Sequence, residues 1–87
     1  MSHFVYILQC ADKTLYVGCT NDLSRRLHAH NHLKCGAHYT KIRRPVVLKH
    51  FEKFKTLGKA LQREHFLKSL SRKEKLELIS KRKTIAV

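Results

Sequence analysis

Two stretches of this chain place a charged residue where a helix should be apolar. After Asp22, Leu23 and Leu27 mark an inward stripe. At about 100° per residue, Arg26 and His30 fall on that stripe and Arg25 points the other way. A guanidinium on the inward side needs an anion, or a stem that runs past the leucines to water. An interior carboxylate would make this an ordinary buried salt bridge. Further on, Leu57, Ala60, Leu61 and Leu67 form a second stripe with Glu64 in its middle and Lys68 beside it. A carboxylate there can hold a hard divalent cation through oxygen. It can equally pair with Lys68 one turn on, or with Arg26 across the interior. Tyr6 and Tyr16 lie in strand-like segments, where an aromatic ordinarily packs a sheet face. If the turn between them holds three residues, Tyr6, Leu8, Tyr16 and Gly18 share one face. Two tyrosines, an arginine, a histidine and a carboxylate then all face the space between sheet and helices.

The elements that must position these groups follow from pattern. Residues 4–10 (FVYILQC) read as a strand, Ala11-Asp12-Lys13 as a turn, and 15–18 (LYVG) as the hairpin partner. Thr20, Asn21 or Asp22 caps a helix running to about Asn31. Residues 32–45 form a basic loop, and Pro45 introduces a third strand from Val46 to about Phe51. Thr56 caps a second helix to about Leu70, and Ser71-Arg72-Lys73-Glu74 has capping-box spacing for a third, ending near Ile79. The order ββαβαα predicts one α+β domain over residues 1–80, a three-stranded antiparallel sheet flanked by helices. The basic tail 81–87 is expected to fray.

Composition narrows the partner. The 87 residues carry 19 Lys+Arg against six Asp+Glu, a net charge of +13. That length permits one domain, and 43% hydrophobic residues are enough for a modest core. So large a positive excess costs self-repulsion, which a polyanionic partner offsets: nucleic acid first, anionic membrane second. The apolar runs are too short for a membrane-spanning helix, and MSHFVYILQC does not read as a signal peptide. Cys10, Cys19 and Cys35 are odd in number and widely spaced, which fits reduced thiols and a cytoplasmic, nucleoid-associated (or nuclear) setting.

With these residues assembled, the chain resembles the GIY-YIG nuclease superfamily. Phe4-Val5-Tyr6 and, ten residues after Tyr6, Tyr16-Val17-Gly18 resemble its paired motif, with Phe4 in place of the first glycine. The stretch from Thr20 to His30 matches the family's helix, with its arginine at Arg26 and its histidine at His30. Glu64, in QREHFLK, matches the metal-binding glutamate. Gly36-Ala37-His38-Tyr39-Thr40 and Arg43-Arg44-Pro45-Val46 resemble the small stand-alone branch. The resemblance spans about residues 3–80. It implies the same sheet-and-helix fold and metal-dependent cleavage of DNA phosphodiesters, as in homing, restriction and repair nucleases. Carried over, Glu64 holds one Mg²⁺ or Mn²⁺ on the phosphate and leaving oxygens. Tyr6 acts as general base on the attacking water, or positions it, and Tyr16 supports that proton transfer. Arg26 binds the scissile phosphate, and His30 orients a tyrosine or the phosphate. Phenol is a weak base at neutral pH (pKa near ~10), so Tyr6 needs cations nearby to lower it.

Two other readings compete. A non-catalytic nucleic-acid-binding module could use the same face through Lys34, His38, Tyr39, Lys41, Arg43 and Arg44, cations for phosphates and a ring for a base. A zinc site is suggested by His28, His30, His32, Cys35 and His38, but three alternate histidines cannot converge from one helix. The basic residues are spread over every element, which argues against a membrane-surface peptide. Substrate structure, a targeting protein partner and oligomeric state stay open at this level.

Overall fold

The computed structural model describes residues 2–32, 40 and 42–82. Strands β1 (His3–Gln9) and β2 (Leu15–Thr20) form the expected hairpin. The chain reverses in three residues: Lys13 N–H donates to the Cys10 carbonyl and Cys10 N–H to the Thr14 carbonyl, both at 2.9 Å. Lys13 adopts φ 73°, the left-handed backbone that such a turn requires at its last residue. Asp12 Oδ1 braces it by accepting from Thr14 N–H at 3.1 Å and from Thr14 Oγ1 at 2.6 Å. Turn length fixes register, so Tyr6 stands opposite Gly18 and Leu8 opposite Tyr16.

Helix α1 (Leu23–His32) follows, then β3 (Val47–Phe54), α2 (Leu57–Ser69) and α3 (Arg72–Arg82). The order is therefore ββαβαα, as the sequence predicts. β3 pairs antiparallel with the free side of β1, giving the sheet order β2-β1-β3. It runs to Phe54 rather than ending near Phe51, because His3, Phe4 and Val5 offer ladder partners to Phe54, Lys53 and Glu52. The register shifts between Ile7 and Leu8, whose partners are His50 and Leu48, so Lys49 is the extra residue of a bulge.

Local signals set the helix ends. Of the three candidate caps, Asp22 serves α1: its Oδ1 accepts Arg25 N–H at 3.1 Å. Thr56 Oγ1 accepts Lys59 N–H at the start of α2. Ser71 and Glu74 close a reciprocal capping box on α3, Ser71 N–H to Glu74 Oε1 at 3.0 Å and Glu74 N–H to Ser71 Oγ at 3.2 Å. α3 passes Ile79 and takes in Lys81 and Arg82, the first two residues of the expected tail; residues 83–87 lie outside the described ones.

Both sheet faces are used. Val5, Ile7 and Val17 pack with Ala60 and Leu67 of α2 and with Leu70, Leu78 and Ile79. On the opposite face Tyr6, Leu8 and Cys10 pack with Val46, Leu48, Tyr16 and the α1 residues Leu23 and Leu27. The inward stripe expected on α2 needs correction. Ala60 and Leu67 are fully buried, whereas Leu57 and Leu61 are 50% and 46% exposed. The helix is rolled so that small Ala60 meets the sheet, which carries the two leucines to one flank. Arg63 reaches from α2 to the sheet. Its Nε and Nη2 donate to the two oxygens of Glu52 at 2.9 and 3.1 Å, and Glu52 also holds His50 Nε2 at 2.8 Å. Burial pushes the Glu52 carboxyl up, but these bonds outweigh it and hold the group below the usual carboxylate range. Among the described residues no helix is long and apolar enough to cross a membrane.

Candidate active site

The site is built around Gly18. A Cβ at this position would stand 2.5 Å from Tyr6 Cζ and closer still to its oxygen, so the Tyr6 ring lies directly on the glycine backbone of β2. Only glycine leaves that space. The phenol is buried there (2% exposed), and its oxygen is 2.8 Å from His30 Nε2. His30 comes from the inward side of α1 and is fully buried. Its Nδ1 is 2.7 Å from Thr40 Oγ1, and Thr40 is fully buried as well. The Tyr6 and Tyr16 rings both meet the imidazole edge-on, with centroids at 5.8 and 5.2 Å. Tyr6, Tyr16 and His30 are thus brought together as the sequence predicts, and Thr40 is added to them.

Arg26 is half-buried and Arg25 exposed, in agreement with their angular placement. Arg26 lies against Tyr6 and with it lines a small cleft completed by Leu8, Leu23, Leu27 and Leu48. The electrostatics of Tyr6 depart from expectation. Burial dominates and pushes the phenol up to about 12, although the Arg26 hydrogen bond and charge pull it down; Tyr16 and Glu64 push it further up. The cations that were to activate Tyr6 are outweighed by loss of water, so the phenol is neutral at physiological pH. His30 is pushed down to about 4, by burial first and then by the charges of Arg26 and Arg44. Two neutral groups therefore share the 2.8 Å bond. A neutral imidazole donates at one nitrogen and accepts at the other: with its proton on Nδ1, Thr40 receives a hydrogen bond and Tyr6 gives one.

Glu64 sits on α2, across the sheet from α1, yet its charge raises the Tyr6 phenol; it also raises the Cys19 thiol, after burial. Of the two pairings open to it, the structure contains the one with Lys68, Nζ to Oε2 at 3.3 Å. Lys68 is 55% exposed and Glu64 18%, so this is a surface pair of small worth. Among the described residues no group of three His, Cys, Asp or Glu could hold a metal ion. One carboxylate with an oxygen to spare fits a hard cation of the Mg²⁺ type, which takes few protein ligands and completes its shell with water and substrate. The zinc candidates do not converge among the described residues, and Cys35 and His38 lie outside them. His28 and His32 stack on each other at 4.8 Å on the exposed side of α1, while His30 is committed to Tyr6 and Thr40.

Of the basic loop residues, Lys34, His38, Tyr39 and Lys41 lie outside the described residues. Arg43 and Arg44 are employed in the fold. Arg43 Nε pairs with Asp12 of the hairpin turn at 3.1 Å. Arg44 donates from Nε to the His30 carbonyl at 2.6 Å and from Nη2 to the Ala29 carbonyl at 3.2 Å. It thereby closes the C-terminus of α1, where unpaired carbonyls attract a cation. Asn31 ties the same end to Val46, donating to its carbonyl at 3.1 Å and accepting its N–H at 2.7 Å. Sequence reasoning missed Thr40, Asn31 and the clamp made by Arg44. Their partners lie 10 to 15 residues away, and periodicity carries no signal at that separation.

Comparison with known proteins agrees with this geometry. Residues 2–77 match the GIY-YIG catalytic domain. A UPF0213 protein of Syntrophus aciditrophicus is 53% identical over 77 residues, 88% of either chain. One from Clostridium perfringens is 50% identical over 78 residues, 90% of this chain and 83% of the relative. The solution structure of a UPF0213 protein from Bacillus halodurans is 40% identical with a TM-score of 0.59, covering 92% of this chain and 84% of that one. That of an Enterococcus faecalis protein is 37% identical with a TM-score of 0.62, covering 92% and 85%. With its motif tyrosines, arginine and histidine gathered on one face of the sheet, the chain belongs to the GIY-YIG catalytic domain family.

Proposed function

We propose that this protein is a divalent-metal-dependent endonuclease that hydrolyses DNA phosphodiesters beside Tyr6 and Arg26, where the charge of Glu64 is felt. The observation that carries the reading is the buried Tyr6–His30 bond with the Arg26 guanidinium against it. A hydrophobic core gains nothing from so many polar groups in one place. A phosphodiester does: Arg26 binds its anionic oxygens and offsets the charge that develops during attack. Glu64 would hold an Mg²⁺ or Mn²⁺ ion, which supplies further stabilisation of phosphate charge when bound.

Tyr6 cannot rest as phenolate, so its part is to position water and pass on a proton. With the His30 proton on Nδ1 toward Thr40, the Tyr6 oxygen accepts a proton from water while its own moves to His30 Nε2. No free phenolate forms, and the positive charge ends on an imidazole held between two tyrosine edges. Burial is the main reason His30 is neutral, and phosphate at Arg26 favours the transfer by offsetting one of the two charges that add to it.

The test is a panel of single-stranded, duplex, flap and junction DNAs incubated with Mg²⁺ or Mn²⁺, the wild type beside Glu64→Ala. Products that require metal and disappear in Glu64→Ala, with binding retained, support the reading. Salt-sensitive binding without products on any substrate overturns it in favour of a binding module.

A further inference from the structure

Among the described residues, α1 covers only part of the Tyr6 face. The cluster beneath it takes in Tyr6, Tyr16, Leu8 and Leu48. Further along the same face lie Phe4, Phe51 and Lys53, because Phe4 follows the alternation of Tyr6 and the ladder pairs Tyr6 with Phe51 and Phe4 with Lys53. Phe51 is 43% exposed, while its strand neighbour His50, on the other face, is 3% exposed. Phe4 supports the Phe51 ring edge-to-face, centroids 6.2 Å apart at 63°. Lys53 and Lys49 are exposed on the same strand. A single exposed phenylalanine is ordinary on a protein surface. This one stands one strand, about 4.8 Å of backbone spacing, from the tyrosine of the candidate site, braced by a second ring and accompanied by lysine in a chain of net charge +13.

An aromatic ring partly exposed on an antiparallel sheet, with cations alongside, is suited to a nucleobase. A base inside a duplex already has both faces covered, so such a ring can serve only a base that is free of its stack. We propose that Phe51, braced by Phe4, is the stacking surface for one unpaired base adjacent to the phosphate that Arg26 holds, with Lys53 on a neighbouring phosphate. The occupant is a single-stranded or locally unpaired strand. The proposal rests on the reading of Tyr6 and Arg26 as the phosphate site, and it gives that site a determinant of strand state.

Binding measured without metal separates the two. The full-length protein is titrated by fluorescence anisotropy in EDTA with a single-stranded DNA and with an abasic strand of equal length and phosphate count. The wild type should lose about tenfold or more in affinity when the bases are removed. Phe51→Ala should bind the normal strand about tenfold more weakly than the wild type, lose correspondingly less on removal of the bases, and match the wild type on blunt duplex. Phe51→Trp should restore single-strand affinity, and Phe51→Leu, which keeps bulk without a π face, should not. The slope of log Kd against log salt should be unchanged in Phe51→Ala and shallower by about one in Lys53→Ala. Equal affinity of wild type and Phe51→Ala for the normal strand, or full rescue by leucine, overturns the platform. Cleavage with unaltered Phe51→Ala binding removes the platform alone. Tryptophan-rescued base dependence in a protein that never cuts keeps the platform and removes the nuclease.

Discussion

Tyr6 and His30, twenty-four residues apart in the chain, share a buried hydrogen bond of 2.8 Å between a phenol pushed up to about 12 and an imidazole pushed down to about 4. Burial moves the two groups in opposite directions for one reason: it penalises whichever form is charged. The result is a hydrogen-bonded pair that is neutral at rest.

Gly18 makes that pair possible, and Gly18→Ala tests it. The added methyl would collide with the Tyr6 ring, so the phenol must leave His30. The variant should lose about 1–3 kcal/mol of stability, read as a shift in the urea midpoint. Its cleavage rate should fall by about 100-fold or more, to the same residual rate as Tyr6→Phe and as the double variant. Additive losses would show that Gly18 acts on something other than Tyr6.

Acid stability should carry the His30 signature. His30 takes a proton near its ordinary value of 6.5 when unfolded and near 4 when folded. The unfolded chain therefore binds the proton first, and stability is lost as pH falls from about 6.5 toward 4. Glu52, held below its ordinary 4.5, adds a loss that begins only as pH falls through that value. Urea midpoints at pH 7.5, 5.5, 4.5 and 3.5 should decline for the wild type, and His30→Gln should flatten the interval above pH 4.5 while leaving the lower one. A wild-type midpoint that stays constant down to pH 4.5 would contradict the buried neutral imidazole.

Adjacent arginines should behave differently. Arg26→Ala, beside Tyr6, should reduce cleavage by about 100-fold or more with a small change in DNA affinity. Arg25→Ala, exposed on the other side of α1, should weaken binding slightly and make it less salt-dependent, with the maximal rate kept. Single-turnover rates and anisotropy titrations distinguish the two, and equal effects would refute the assignment.

The polar group on the far face should be structural. Glu52→Ala strips Arg63 and His50 of their shared carboxylate and should cost about 2 kcal/mol. Activity per folded molecule should remain that of the wild type, because Glu52 bonds Arg63 and His50 and not Tyr6, His30 or Arg26. Thermal melts beside specific activity check this, and a loss of activity at full foldedness would connect the group to catalysis.

What was legible in the sequence was whatever depends on near neighbours. The three-residue turn set the pairing of Tyr6 with Gly18, the Ser71–Glu74 box set the start of α3, and helical angle separated Arg26 from Arg25. Each is an interaction of one turn or one hairpin, and residue type at fixed spacing encodes it. Tertiary structure decided the rest. It chose which flank of α2 meets the sheet, exposing Leu57 and Leu61, and it drew Arg63 onto Glu52. It brought Thr40 and Arg44 from a distant segment to His30, and it surrounded Tyr6 with enough protein that burial outweighs the arginine meant to activate it. The sign of a pKa shift is a sum over every element that closes on a group, and no stretch of sequence contains that sum.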